Sequence, residues 1–234
     1  MKKNYDKKIV VLRKKIDETE VLEILDNKKT ALFKSIFSRP KKSDIHIHSV
    51  KLYYECILLV SGKYVANYFR KATHSISVDS NVSAVVLGDD IFSVRTKSNF
   101  KKAIVGKRGK NKVDLKLEEH VFVENEDELT FDHHGKEIKF PFKLNSKTTE
   151  NYPNRLLEKN SSNVKNSELT HNDVIKKLQS FLKKPLEDEV RKLEEEFVLR
   201  EISEVYVPIY ESRLIGPKKK IAIIRIDAVR NKIL

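Results

Sequence analysis

The stretch from Asp44 to Asp79, DIHIHSVKLYYECILLVSGKYVANYFRKATHSISVD, constrains this chain more than any other. It is dense in β-forming residues and carries a single glycine, Gly62. A glycine between two β-rich runs predicts two long strands folded back at Ser61-Gly62, because glycine accepts the positive φ of tight hairpin turns. Tyr64, Ala66, Tyr68, Ala72, Ile76 and Val78 fall at even spacing, so one face of the second run is largely apolar.

The flanking sequence predicts helices and further hairpins. A strand is expected at Lys8–Arg13. A helix then follows to about Phe37, capped by Asp17 or Thr19, with Glu20 and Glu23 where the helix dipole favours acids. Pro40 ends it, since the residue before proline resists the α conformation. After the long hairpin come Val82–Leu87 and Ile91–Val94 about Gly88-Asp89-Asp90, then Val113–Leu117 and His120–Glu124. Leu129–Phe131 and Glu137–Leu144 flank an Asp132-His133-His134-Gly135 turn, with Ile138, Phe140, Phe142 and Leu144 in alternation. Thr170 and Asp173 resemble a capping box before a helical stripe running from Val174 to Phe197, which Pro185 must kink or divide. The chain closes on a hairpin, Glu204–Ile215 and Lys219–Ala228, about Gly216-Pro217.

These elements predict an α+β fold: an antiparallel β-meander of hairpins packed with helices. Residues 1–144 form a helix plus antiparallel sheet module in this reading. Residues 145–168, rich in Asn, Ser, Lys and Thr, are a polar linker or flexible loop, and 169–234 supply a long helix with a C-terminal β-hairpin. The chain has 234 residues, of which 39% are hydrophobic, with 11 Phe and 8 Tyr; that is enough to build a core and makes global disorder a poor description. No run approaches the length of a membrane helix. The apolar run Ile9–Leu12 is too short for a signal peptide, and Cys56 has no cysteine to pair with. A cytoplasmic protein with a buried structural thiol and no cofactor is the expectation.

The two halves echo one another. LYYECILLVSGKY, running on to SISVD, and VYVPIYESRLIGPKK, running on to IIRID, each show an aromatic strand, a glycine, a β-branched strand and an Asp. In outline this resembles a doubled helix-plus-hairpin unit of the cystatin-like or PepSY type. That resemblance implies binding or inhibition of a partner. Two accounts stay open, a duplicated unit or the common outline of any hairpin that follows a helix. Gly62-Lys63-Tyr64 and Tyr68-Phe69-Arg70-Lys71 also resemble basic α+β proteins of archaeal type, which implies no particular function.

Three features bear on chemistry. Asp44, His46 and His48 fall at i, i+2, i+4, which in a strand makes a row fit for a metal. Asp44-Ile45-His46-Ile47-His48-Ser49 resembles the opening motif of the polymerase-and-histidinol-phosphatase hydrolases, and the resemblance implies that His46 and His48 ligate metal. The later ligand motifs and the β/α alternation of that family are missing. Second, RTKSNFKKAIVGKRGKNK carries Arg95, Lys97, Lys101, Lys102, Lys107, Arg108, Lys110 and Lys112 without an acid, around Gly106 and Gly109. Such a segment brings cations and backbone N–H groups to phosphates, although its spacing is not that of a Walker A loop. Third, Lys218, Lys219 and Lys220 form a second basic cluster, with Arg213, Arg225 and Arg230 nearby and Lys63, Arg70 and Lys71 able to extend the surface.

The formal net charge of +13 favours polyanionic partners. No nucleophile elbow, catalytic triad or dinucleotide fingerprint is present, and with 6 glycines the chain is poor in phosphate-cradling loops. The leading reading is a binding protein, not an enzyme, that contacts nucleic-acid phosphates through basic loops. The alternatives are a protein-interaction or scaffold subunit and a metal-dependent hydrolase at Asp44, His46 and His48.

Overall fold

The structure is a computed structural model that describes residues 6–34, 40–94, 111–185 and 189–234. Among the described residues it holds nine strands and three α-helices. In chain order these are β1 (Asp6–Val11), α1 (Glu18–Phe33), β2 (His46–Val78), β3 (Ala84–Leu87), β4 (Asp90–Ser93), β5 (Asn111–Phe131) and α2 (Pro153–Lys159). They continue with β6 (Val164–Lys165), α3 (His171–Leu182), β7 (Val190–Ile215), β8 (Ile221–Asp227) and β9 (Lys232–Ile233). The fold is α+β with a large antiparallel sheet and hairpins, as the sequence predicts.

Seven strands form one sheet, ordered β5-β2-β7-β8-β9, with β1 beside β7 and β6 beside β2, while β3 and β4 make a separate hairpin. β1 and β6 run parallel to their neighbours; β7–β8, β8–β9 and β3–β4 are antiparallel. Several expected elements form where the local chemistry demands them. Asp17 caps α1 in a reciprocal box, its carboxylate accepting from Glu20 N (3.0 Å) while the Glu20 carboxylate accepts from Asp17 N (2.9 Å). Thr170 and Asp173 cap α3 in the same manner. Gly88 takes φ +59° in the β3–β4 turn, and Gly216 precedes the β7–β8 turn.

Several expected elements are corrected. The hairpin at Ser61-Gly62 is absent, because β2 runs unbroken through Gly62. The burial alternation continues in phase across the glycine, with Val60, Gly62, Tyr64, Ala66 and Tyr68 all buried. A two-residue turn would have shifted that phase by one, since the residues flanking such a turn face the same way. The doubled helix-plus-hairpin unit therefore lacks its first turn. Likewise, the stripe from Val174 to Phe197 is not one helix. α3 ends at Leu182, before Pro185, and the chain re-enters as β7 at Val190. Val113–Leu117 and His120–Glu124 also join as the single strand β5. Residues 145–168 hold α2, a 3-10 turn at Ser161–Asn163, and β6, which pairs Glu55 with Lys165.

The chain divides into two compact units. The first comprises residues 1–63, 126–182 and 198–234. On one face of its sheet, Val21 and Leu25 of α1 pack with Ile16, Ile45, Tyr210, Leu214, Ile224 and Ile226. On the other face, Val10, Leu12, Ile57, Val205, Val207 and Ile209 lie under Ile138, Phe140 and Phe142. The alternation of Val205, Val207 and Ile209 with Tyr206 and Tyr210 along β7 sends these residues to opposite sides. The segment after Phe131 thus uses its expected period of two as an extended strap, not as a sheet strand.

The second unit comprises residues 64–125 and 183–197. Its small core joins Val94, Val113 and Leu115 with Val78, Val82, Val85, Phe92 and Leu117. Polar side chains link its strands: Arg70 to Glu119 (2.7 Å), Ser75 to Asp114 (2.5 Å), Tyr64 to Glu195 (2.6 Å) and Lys71 to Glu189 (3.2 Å).

Gly216 has no left-handed backbone, yet a Cβ there would lie 2.4 Å from Cδ1 of Phe33 at the end of α1. Gly216→Ala should therefore destabilise the protein by about 1–3 kcal/mol through overpacking. Combined with Phe33→Leu, it should cost less than the sum of the two single changes. Urea unfolding of the two single variants and the double variant measures this coupling; strict additivity would exclude the contact as the cause.

Candidate nucleic-acid interface

From Ser49 onward in the first unit, the odd-numbered side chains of β2 share with those of β7 the face that the strap covers. The strap covers only one end of it. Beyond Ile57 and Ile209 the same rows continue with Glu55, Tyr53 and Lys51 on β2 and with Glu211 and Arg213 on β7. The strand register sets Lys165 against Glu55, Arg225 against Glu211, and Ile223 against Arg213. The face therefore passes from a covered apolar patch to a row of charges and then to an open end.

The charge row is centred on Glu55, which is 7% exposed. Its carboxylate accepts from Lys165 Nζ (3.1 Å) and from Arg225, and His133 Nδ1 lies 3.4 Å away. Lys165 also reaches Glu211 (3.5 Å) and sits 4.3 Å above the Tyr53 ring. Two acids thus meet two permanent cations, and the row is balanced when His133 is neutral. Burial pushes the His133 imidazole below its ordinary value, against the pull of Glu55 and reinforced by His134, whose ring is tilted by 39° with its centre 3.8 Å away, and by Arg225. His134 in turn meets Glu168 at 2.8 Å.

At the open end His48, Ser49, Lys51, Tyr53, Glu211 and Arg213 line a trough of about 210 Å³. Lys51 and Arg213 are exposed and have no ion-pair partner among the described residues. The β7–β8 turn begins at Gly216, three residues beyond Arg213, and Lys218, Lys219 and Lys220 are all exposed there. Gly216 N donates to Lys220 O (2.8 Å), Lys220 N donates to Pro217 O (3.3 Å), and Lys218 and Lys219 both have positive φ, at 57° and 58°. That is the backbone of a type I′ turn, which Asn-Gly adopts most readily. Here it is built from two lysines, at a cost of roughly 1–2 kcal/mol per residue.

Of the other basic residues singled out in the sequence, Arg95, Lys97, Lys101, Lys102, Lys107, Arg108 and Lys110 lie outside the described residues. Lys112 is exposed near the start of β5, in the second unit. Arg70 and Lys71 are engaged by Glu119 and Glu189, and Arg230 by Asp227 (2.6 Å), so these cations do not extend a bare basic surface. The metal row is also corrected. Asp44 lies not in β2 but in a 3-10 turn, where its carboxylate accepts from Lys41 N (3.0 Å) and the Ser43 hydroxyl (3.2 Å). Among the described residues no group of three or more His, Cys, Asp or Glu side chains is arranged to hold a metal ion. His48 contributes to the trough instead.

Cys56, on the opposite parity of β2, is buried, and burial pushes its thiol up to about 12, so it stays protonated and inert at neutral pH. Among the described residues no helix is long and apolar enough to cross a membrane. Sequence reading missed Lys51, Tyr53, Glu55 and Lys165. The alternation of Lys51, Tyr53 and Glu55 with Leu52, Tyr54 and Cys56 was the available signal. The fold and site together define an α+β sheet protein with a half-covered, cationic sheet face. Comparison with family models, curated proteins and solved structures gives no match.

Two tests follow from the charge row. Glu55→Gln leaves Lys165 and Arg225 with Glu211 as the remaining carboxylate of the row and should cost about 1–3 kcal/mol in denaturant unfolding, since Glu55 is buried but both cations are partly exposed. A loss under about 0.5 kcal/mol would mean that the row is solvated. For His133, the folded imidazole holds its proton less tightly than the unfolded one, whose ordinary value is 6.5. Its neutral form is stabilising above that pH, and the contribution is lost as pH falls through 6.5 toward the lower folded value. The unfolding midpoint of the protein should fall on acidification in this window, and less so in His133→Gln; parallel curves would reject the assignment.

Proposed function

We propose that this chain binds nucleic acid by contacting phosphates through lysines and arginines, largely without reading base sequence. The observation that carries the reading is a set of exposed cations at one end of the sheet, Lys51, Arg213, Lys218, Lys219 and Lys220, that meet no acid among the described residues. Lys165 and Arg225, on the same sheet face, instead meet the Glu55 carboxylate. Bare cations in a group repel one another and gain most when an anion with closely spaced charges displaces its counterions onto them. The Lys218-Lys219 turn adds support, because a strained backbone held by two lysines is better explained by what their charges do than by stability. The segment containing Arg95, Lys97, Lys101, Lys102, Lys107, Arg108 and Lys110 belongs to the same proposal, as does Lys112.

A second reading rests on the β3–β4 hairpin of the second unit. Val86 and Ile91 are paired across it and are 65% and 70% exposed, a small apolar ridge suited to a protein partner.

The deciding measurement is fluorescence anisotropy of labelled nucleic acid across a salt series. The apparent association constant should fall steeply with salt. Lys218→Asn with Lys219→Gly should relax the turn and stabilise the protein by about 1–2 kcal/mol, while weakening binding and making the salt slope shallower by about 1–2. Lys107/Arg108/Lys110→Ala tests the other basic segment in the same way. Absence of binding at low salt would remove the proposal and move attention to the hairpin ridge.

A further inference from the structure

We infer that the trough between β2 and β7 in the first unit is a subsite for one nucleotide of a single strand, with the base stacked on Tyr53 and a phosphate held by Lys51 and Arg213. The inference rests on the nucleic-acid reading above and adds to it the class of nucleic acid. Its lining combines one aromatic ring, two cations without ion-pair partners among the described residues, and a histidine, His48. The acid in the lining, Glu211, is already engaged by Lys165 at 3.5 Å. The charge balance left to a ligand is therefore positive, which suits a phosphate.

Tyr53 is what makes the subsite selective. It is half-buried and sits under Lys165 Nζ at 4.3 Å, so its ring is held in place before any ligand arrives. A preset ring loses little conformational freedom on binding, and every base has a π face to lay against it. A base inside a duplex has both faces occupied by its neighbours and cannot make that contact. Phosphate contact alone would accept single strands and duplexes alike, but a ring at the floor of a cationic trough favours the unpaired strand. At about 210 Å³ the trough has room for a single base and not for a duplex. The neighbouring lysine turn, Lys218 to Lys220, lies where it can take up adjacent phosphates.

The test uses the full chain and labelled oligonucleotides of about 12 nucleotides as RNA, as DNA and as the matching duplex, read by anisotropy at one low salt concentration. Both single strands should bind at least about tenfold more tightly than the duplex. Tyr53→Leu should lower single-strand affinity by roughly 5- to 150-fold, the value of one stacked base, and leave duplex affinity unchanged. Tyr53→Phe, which keeps the ring, should bind like the wild type. Should Tyr53→Leu fail to fold, photocrosslinking of the wild-type protein to a bromouracil-substituted strand decides the matter. A crosslink mapping to the Tyr53 peptide supports the subsite, and one mapping only elsewhere overturns it. If duplex and single strand bind equally, or Tyr53→Leu binds as the wild type does, the subsite is wrong while the phosphate reading stands. If no polyanion binds at all, both fall together.

Discussion

A 33-residue strand, β2, carries a row of backbone donors and acceptors along each edge, and none can be left buried without a partner. This requirement organises the chain. β7 lies along one edge of β2, and the other is shared by β5 and the short β6. The two residues of β6 set Lys165 beside Glu55. Residues 145–168 thus serve the sheet, although their composition is that of a loop. The same requirement explains why the acidic, lysine-rich stretch after Val190 is extended despite its helical composition. Strand pairing outweighs an intrinsic helix preference that amounts to tenths of a kcal/mol per residue. Its charges find partners across the strands, Glu195 with Tyr64 and Arg191 with Glu118, so the segment is chemically suited to its place.

The Glu55 row marks where the core of the first unit stops on the strap side. Covering Glu55, Lys165, Glu211 and Arg225 with apolar side chains would strip water from four charges, and the Coulomb attraction among them would not clearly offset that. The strap instead lies over Ile57, Val207 and Ile209. Its turn delivers His133, neutral at physiological pH, to the margin of the row. Beyond this margin the sheet face is left open. Lys51, Arg213 and Tyr53 of the trough sit on the part of the face that the strap does not cover.

Much of the fold was legible where local chemistry decides. The caps at Asp17 and Thr170, the turns at Gly88 and Asp132, the final hairpin and the alternation of Ile138, Phe140 and Phe142 all follow from residues close in sequence. The error at Gly62 shows the weakness of a single turn former. At Gly88 and Gly216 a second turn residue stands beside the glycine, Asp89 and Pro217, whereas Gly62 is flanked by Ser61 and Lys63. The unbroken period of two through Val60, Tyr64 and Ala66 was the better witness, since a tight turn would have shifted it. The stripe from Val174 to Phe197 misled because its helical spacing continues past Pro185 by coincidence of leucine and valine positions.

The candidate site was legible only in part, through the Lys218 to Lys220 cluster and Arg213. Lys51 and Tyr53 are separated from Arg213 by more than half the chain, and nothing in their own neighbourhood says that β2 and β7 are adjacent. By itself the sequence determined the caps at Asp17 and Thr170, the turns at Gly88 and Gly216-Pro217, the excess of positive charge and the absence of a second cysteine, because each depends on local composition or spacing. Tertiary structure alone decided which strands pair, which cations meet acids and which remain bare. Those outcomes depend on register between distant segments, and a shift of one residue would have sent Tyr53, Glu55 and Arg213 to the face covered by α1.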